Sequence, residues 1–213
     1  MVQDLTNSNQ IYISGTADSE PKFSHNFGSR TFNVFYMNIP RLSKICDRLP
    51  VIVSERTVPK DTLRINDKVA VRGQIRTHNT SYDGRTHLII SVFAKEVFMP
   101  NEEEDEEEKN PNSVILNGFV CKPPFYRETP LKRRITDILL AVNRPFGRSD
   151  YIPLITWGQT AEEAKNLLVG DCIHIEGRLQ SRIYQKKITE EETIEKTAYE
   201  VSVSKMELIN DNF

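Results

Sequence analysis

The chain repeats itself, and this limits what it can fold into. Ile13-Ser14-Gly15 matches Leu116-Asn117-Gly118 at an offset of 103 residues. At the same offset Leu49-Pro50-Val51-Ile52 matches Ile152-Pro153-Leu154-Ile155, and Thr57 matches Thr160. With one residue inserted, Asp67–Ile75 matches Asp171–Leu179. Ile90-Ser91-Val92 matches Val201-Ser202-Val203 at an offset of 111. Colinear matches with small gaps indicate an internal duplication of roughly a hundred residues per unit. Between the copies, residues 102–108 read Glu-Glu-Glu-Asp-Glu-Glu-Glu. Such a block repels itself into extension and cannot bury itself. The expected organisation is a first domain over 1–100, an acidic linker over 101–111 and a second domain over 112–210.

Each unit reads as β-structure. In the second, Val114–Val120 and Tyr151–Trp157 are expected strands, and Ile135–Asn143 is a strand candidate whose Ile138-Leu139-Leu140-Ala141 alone reads equally well as helix. Tyr151, Pro153, Ile155 and Trp157 alternate with Ile152, Leu154 and Thr156, so they share a face. Thr160–Leu168 is expected to be helical, with Glu162 and Glu163 early enough to complement the helix dipole and Gly170 ending it. Cys172–Ser181 and Thr197–Leu208 follow as strands, joined by a polar stretch. Five strands with a helix between the third and fourth is the connectivity of the OB barrel. The expected fold class is therefore all-β with short helices, as two tandem five-stranded OB barrels.

The net charge of −2 over 213 residues hides a partition. The first 101 residues are net +4 and residues 109–213 net +1, so the acidic run alone makes the molecule acidic. An anionic partner is not excluded, because local patches set the field. No apolar run approaches the roughly 20 residues of a membrane span. Met1–Gln10 is polar and lacks the order of a secretory signal, so a cytoplasmic location is expected. Cys46, Cys121 and Cys172 are scattered, as are His25, His78, His87 and His174, which argues against zinc. No phosphate-cradling glycine motif occurs. Catalysis would need paired acids, a metal cluster or an oriented nucleophile. The strongest carboxylate clusters are the linker and Glu190-Glu191-Glu192, so neither an enzyme nor a cofactor is expected.

The second unit instead interleaves aromatics with cations: Phe125-Tyr126-Arg127, Lys132-Arg133-Arg134, Arg144-Pro145-Phe146-Gly147-Arg148 and Arg182-Ile183-Tyr184-Gln185-Lys186-Lys187. Single-strand binders need π-faces for bases and cations for phosphates, and stacking tolerates any base. The candidate stacking residues are Tyr151, Trp157, Tyr184, Phe146 and Tyr126. The candidate phosphate contacts are Arg127, Lys132, Arg133, Arg134, Arg144, Arg148, Arg178, Arg182, Lys186 and Lys187. Trp157 reads equally well as a barrel-core residue, and Tyr151 shares its face.

Residues 114–208 resemble the bacterial single-stranded DNA-binding protein family. The resemblance rests on Val114–Val120, Leu140-Ala141-Val142-Asn143-Arg144-Pro145, Asp150–Gly158, Ala161-Glu162, Gly170-Asp171 and Glu176–Tyr184, in that order and spacing. It implies an OB barrel whose aromatics stack on bases, with Tyr151, Trp157 and Tyr184 at stacking positions and Arg182 at a basic hairpin position. It also implies a homodimer supplying four barrels, and contacts with replication or repair proteins. The family's acidic tail is poorly represented by Asn210-Asp211-Asn212-Phe213.

The first unit departs from this pattern. At repeat-equivalent positions Arg48 stands for Tyr151, Ser54 for Trp157 and Thr80 for Tyr184, although Tyr82, Arg72, Arg76 and Arg85 lie nearby. It is read as a degenerate barrel serving assembly, with weak binding through other residues as the alternative. The expected function is binding of single-stranded DNA, largely without sequence preference, during replication, recombination or repair. The competing readings are an accessory replication or restart protein acting through protein contacts, and an RNA binder.

Overall fold

The computed structural model describes residues 8–43, 45–59, 61–82, 84–100, 110–187 and 193–209. The acidic run 102–108, Glu190–Glu192, the tail 210–213 and the side chains of Tyr82, Arg85, Lys186 and Lys187 lie outside the described residues. The first unit contains β1 (Asn9–Ala17), β2 (Lys22–Phe27), β3 (Arg30–Pro40), β4 (Cys46–Ser54), β5 (Lys68–Tyr82) and β6 (Arg85–Phe98). The second contains β7 (Asn112–Val120), β8 (Phe125–Glu128), β9 (Arg134–Arg144), β10 (Arg148–Trp157), α1 (Gly158–Ala164), β11 (Cys172–Lys187) and β12 (Thr193–Leu208).

The strand order is β2-β3-β4-β6-β5-β1-β7-β11-β12-β10-β9-β8. It reads the same from both ends once six is added to each first-unit number. The extra pairings β3–β1 and β7–β9 close each half into a barrel. Each barrel has five strands, and the short edge strands β2 and β8 pair only with β3 and β9. The structure thus adds an edge strand per unit that the sequence reading passed over. It also extends β11 and β12 into a long hairpin arm through most of the expected polar loop.

The registers repeat as well. Thr16 pairs with Asn38 as Phe119 pairs with Ala141. A bulge interrupts β5–β6 at Arg72/Gly73 and β11–β12 at Glu176/Gly177. Val51 pairs with Val92 as Leu154 pairs with Val201. The equivalence at the ends is therefore Val92 with Val201, an offset of 109 rather than 111. The sequence match was slipped by two residues. A slip of two leaves every side chain on its own face, so the alternating pattern could not expose it.

Even-numbered residues of β9 and β10 fill the second barrel. Ile138, Leu140, Val142, Ile152 and Leu154 are buried there, as are Phe35, Met37, Ile39, Leu49 and Val51 in the first. Gly118 lets β7 cross β9: a Cβ there would lie 2.6 Å from the Ala141 carbonyl oxygen. Helix α1 begins two residues earlier than expected. Its first turn holds no acidic residue. Glu162 and Glu163 fall in the next turn, where they bond Lys165 and Gln159 instead of serving the dipole.

The barrels join through β1 and β7, which pair antiparallel from Asn9↔Leu116 to Ile13↔Asn112. Reciprocal side-chain bonds flank this seam. Asn9 bridges the backbone of Ile75, and Asn112 bridges that of Leu179. Asp47 of the first unit accepts from the Ser181 N–H of the second at 2.6 Å. Asp150 of the second accepts from the Thr77 N–H of the first at 2.8 Å. Both carboxylates are buried. Arg41 and Arg178 pair with Asp47, and Arg76 and Arg144 with Asp150. Each arm is therefore latched to the opposite barrel.

Candidate nucleic-acid interface

The outer face of the second barrel is set by odd numbers on β9 and β10. Ile135 pairs with Trp157, Leu139 with Pro153 and Ala141 with Tyr151. Tyr151 is 45% exposed and Trp157 40%. Trp157 is thus not a core residue, because inward positions belong to Ile152, Leu154 and Thr156. Six residues of strand separate the two rings, about 20 Å at roughly 3.3 Å per residue. That spacing leaves room for several bases.

Strand β8 extends this face. Phe125 pairs with Asp137 and Arg127 with Ile135, so both lie on the Trp157 side. Phe125 is 63% exposed. It belongs to one of the clusters quoted from the sequence, yet was not selected there as a stacking residue. Choosing it over Tyr126 requires knowing that 125–128 is a strand, and a four-residue strand gives almost no periodicity. Tyr126 points to the other side. Its hydroxyl donates to Glu162 of α1 at 2.7 Å, and the Lys165 ammonium stands 5.1 Å from its ring centre. The hydrogen bond to Glu162, helped by burial, pushes the Tyr126 hydroxyl up to about 12. Lys165, then Tyr126, hold the Glu162 carboxyl below its usual range. The structure therefore ties Tyr126 to the helix and does not bring it to Tyr151 and Trp157.

At the β9–β10 tip, a tight turn over Pro145–Gly147 lifts Phe146 clear of the barrel, 99% exposed. Its φ of +66° is the left-handed region, which bulky side chains rarely adopt. No packing recovers that strain, which fits a ring held out for a ligand. Arg148 beside it is exposed.

The candidate cations divide by partner. Arg144 and Arg178 are engaged with buried carboxylates, Asp150 and Asp47. Arg127 pairs with Asp137 at 3.0 Å on the outer face, and Arg134 approaches Glu162 at 3.6 Å. Lys132 and Arg133 are exposed in the turn before β9, Lys132 at φ +54°. Arg182 lies 3.6 Å from Glu200 and over the Tyr184 ring at 5.6 Å. Tyr184 and Arg182 lie beyond Ser181 on the β11–β12 arm, and at Ser181 the arm bonds β4 of the first unit. The sequence grouping of Tyr184 with Tyr151 and Trp157 thus joins two separate surfaces.

Among the described residues, no cluster of His, Cys, Asp and Glu could hold a metal ion, and no helix is long and apolar enough to cross a membrane. Cys46, Cys121 and Cys172 form no disulfide.

The pattern of the single-strand binding protein family matches residues 111–209. The chain is similar to single-stranded DNA-binding protein 3 of Listeria innocua, 36% identical over 81 residues, 35% of this chain and 51% of that protein. It is also 36% identical to single-stranded DNA-binding protein A of Bacillus subtilis over 83 residues, 36% of this chain and 48% of that one. The chain thus spans about half the length of the curated relatives it matches. In fold it resembles the wild-type single-stranded DNA binding protein of Thermus aquaticus, with a TM-score of 0.75 and 20% identity, over 96% of this chain and 94% of that one.

Proposed function

Residues 111–209 match the single-strand binding protein family, and from that likeness we propose that this chain holds single-stranded DNA without catalysing a reaction. Bases stack on the outer face of the second barrel, on Tyr151, Trp157 and Phe125, with Phe146 gripping the strand at the hairpin tip. Lys132, Arg133 and Arg148 meet phosphates. Arg127 stands at the edge of the stacking face, held by Asp137. Arg144 and Arg178 act through structure, because buried aspartates already engage them. Tyr126 braces β8 against α1.

The observation that carries this reading is the exposure of three large aromatics on one face of a barrel whose interior is already filled by aliphatic residues. Each stacked base contributes about 1–3 kcal/mol and no base is preferred. Tyr151→Ala with Trp157→Ala should cost roughly 2–6 kcal/mol in affinity for oligothymidylate. A folded double variant that binds as tightly as wild type would remove this site.

The work fitted to such a surface is protection of DNA exposed in replication, recombination or repair, in a bacterial cytoplasm. Two chains would bring together four barrels, as the family resemblance implies. A solution mass of two chains by light scattering supports that assembly, and a mass of one chain contradicts it.

A further inference from the structure

Tyr151 receives support that its own barrel does not supply. Strand β12 pairs with β10 at Leu154 and Ile155. Three residues earlier β12 has left β10, and β5 of the first unit reaches it instead. The Tyr151 N–H donates to the Thr77 hydroxyl at 2.8 Å. The Thr77 N–H donates to the Asp150 carboxylate, also at 2.8 Å, and Arg76 donates to the other carboxylate oxygen at 2.7 Å. Thr77 and Asp150 are both buried. Two reciprocal bonds thus lock Thr77 to the neighbouring pair Asp150 and Tyr151. They fix the direction of the β10 backbone at the point where the Tyr151 ring leaves it.

The same carboxylate steadies the hairpin tip. Arg144 reaches Asp150 at 3.3 Å and stands opposite Arg148 at the base of the turn that carries Phe146. A ring that receives a base is held only as well as the bonds behind it hold its backbone. Deleting the Thr77 hydroxyl would leave the Tyr151 N–H without its acceptor and let that backbone tilt. The mirrored latch ends differently. Ser181, the counterpart of Thr77, accepts from the Arg48 N–H at 3.2 Å. Arg48 is the counterpart of Tyr151, and its guanidinium is held by Asp18 at 2.6 Å, 3.7 Å from the centre of the Tyr36 ring. Of the two latches, only the one closed by the first unit's arm ends on an aromatic ring exposed at the outer face.

We propose that Thr77 of the first unit is a positioning residue for the base-stacking face of the second barrel. Through the Tyr151 N–H and Asp150 it aims the Tyr151 ring, so the first unit completes a site that it does not itself line. Replacement of the aromatics of that face by Arg48 and Ser54 in the first unit leaves this role untouched. The inference rests on the reading of Tyr151 as a stacking residue, and the test separates the two.

The full chain and its variants are titrated with an oligothymidylate of about 12 nucleotides, since one OB barrel covers roughly 4–16. Quenching of Trp157 follows binding, so the second barrel alone is read. Thr77→Val keeps the shape and removes the hydroxyl. It should weaken affinity about three- to tenfold, the size of one net hydrogen bond, with quenching at saturation unchanged. Thr77→Ser, which restores the hydroxyl, should bind within about twofold of wild type. In a Tyr151→Ala background, Thr77→Val should change affinity by less than about twofold, because no ring is left to aim. Equal losses in the two backgrounds would show a structural role alone and overturn the proposal. So would a folded Thr77→Val that binds like wild type, or a Thr77→Ser as weak as Thr77→Val. If Thr77→Val does not fold, Thr77→Cys, a weaker acceptor of similar size, is read in both backgrounds with the same expectations. A Tyr151→Ala variant that binds as tightly as wild type removes the stacking reading of Tyr151 and the positioning with it. A loss with Tyr151→Ala but none with Thr77→Val overturns the positioning alone.

Discussion

An arginine in a binding protein is best judged by the carboxylate it already has. Arg76 and Arg144 converge on buried Asp150, and Arg41 and Arg178 on buried Asp47. Removing one partner from such a buried group strands the other charges. Asp150→Ala should therefore lower stability by about 3–5 kcal/mol in a denaturant titration. It should also weaken binding at Tyr151, whose N–H is fixed by Thr77 across the seam. An unchanged midpoint would show that the latch is not holding the barrels. Tyr126 makes the opposite case, an aromatic engaged by structure. Its hydroxyl is raised from 10 to about 12, so its contribution to stability is complete below pH 10 and is lost as pH rises through 12. Tyr126→Phe should remove a late-titrating tyrosine from the alkaline absorbance curve, while affinity for oligothymidylate stays within about twofold, because no stacked base is lost. A large loss of affinity would return Tyr126 to the site.

At the level of the strand, two glycines per unit have one physical job each. Gly15 and Gly118 let the first strand of each unit pass close under the third. Gly73 and Gly177 sit at the bulges, where a Cβ would lie 2.2 and 2.3 Å from a carbonyl oxygen. Gly177→Ala should destabilise by about 1–3 kcal/mol through overpacking. An unchanged denaturation midpoint would mean that the bulge tolerates a side chain at this position. These glycines, and the alternation through Tyr151–Trp157, were legible in the sequence because a period of two and a matched repeat reinforce one another. Strand β8 was not, since four residues hold no measurable period. The long arm was not, because its polar residues look like a loop until each has a cross-strand partner.

The whole molecule is a pseudo-twofold pair of barrels in which sequence has drifted faster than register. The duplication could be read from Gly15/Gly118 and Gly73/Gly177, and so could the OB connectivity. The partition of the surface could not, because it depends on which arm lies on which barrel. That is decided by Asp47, Ser181, Thr77 and Asp150, polar residues whose partners are roughly 73 to 134 positions away in sequence. At this scale phosphate contacts predict that binding weakens as salt rises through counterion release, with affinity that is insensitive to salt counting against them. The central claim is that the outer face of the second barrel receives bases. Trp157 is the only tryptophan in the chain, so its fluorescence reports that face alone. Titrated with oligothymidylate, double-stranded DNA and RNA, Trp157 should be quenched strongly and saturably by the single-stranded DNA and little by the duplex. Unchanged fluorescence with bound single strand, or equal quenching by the duplex, would contradict the account.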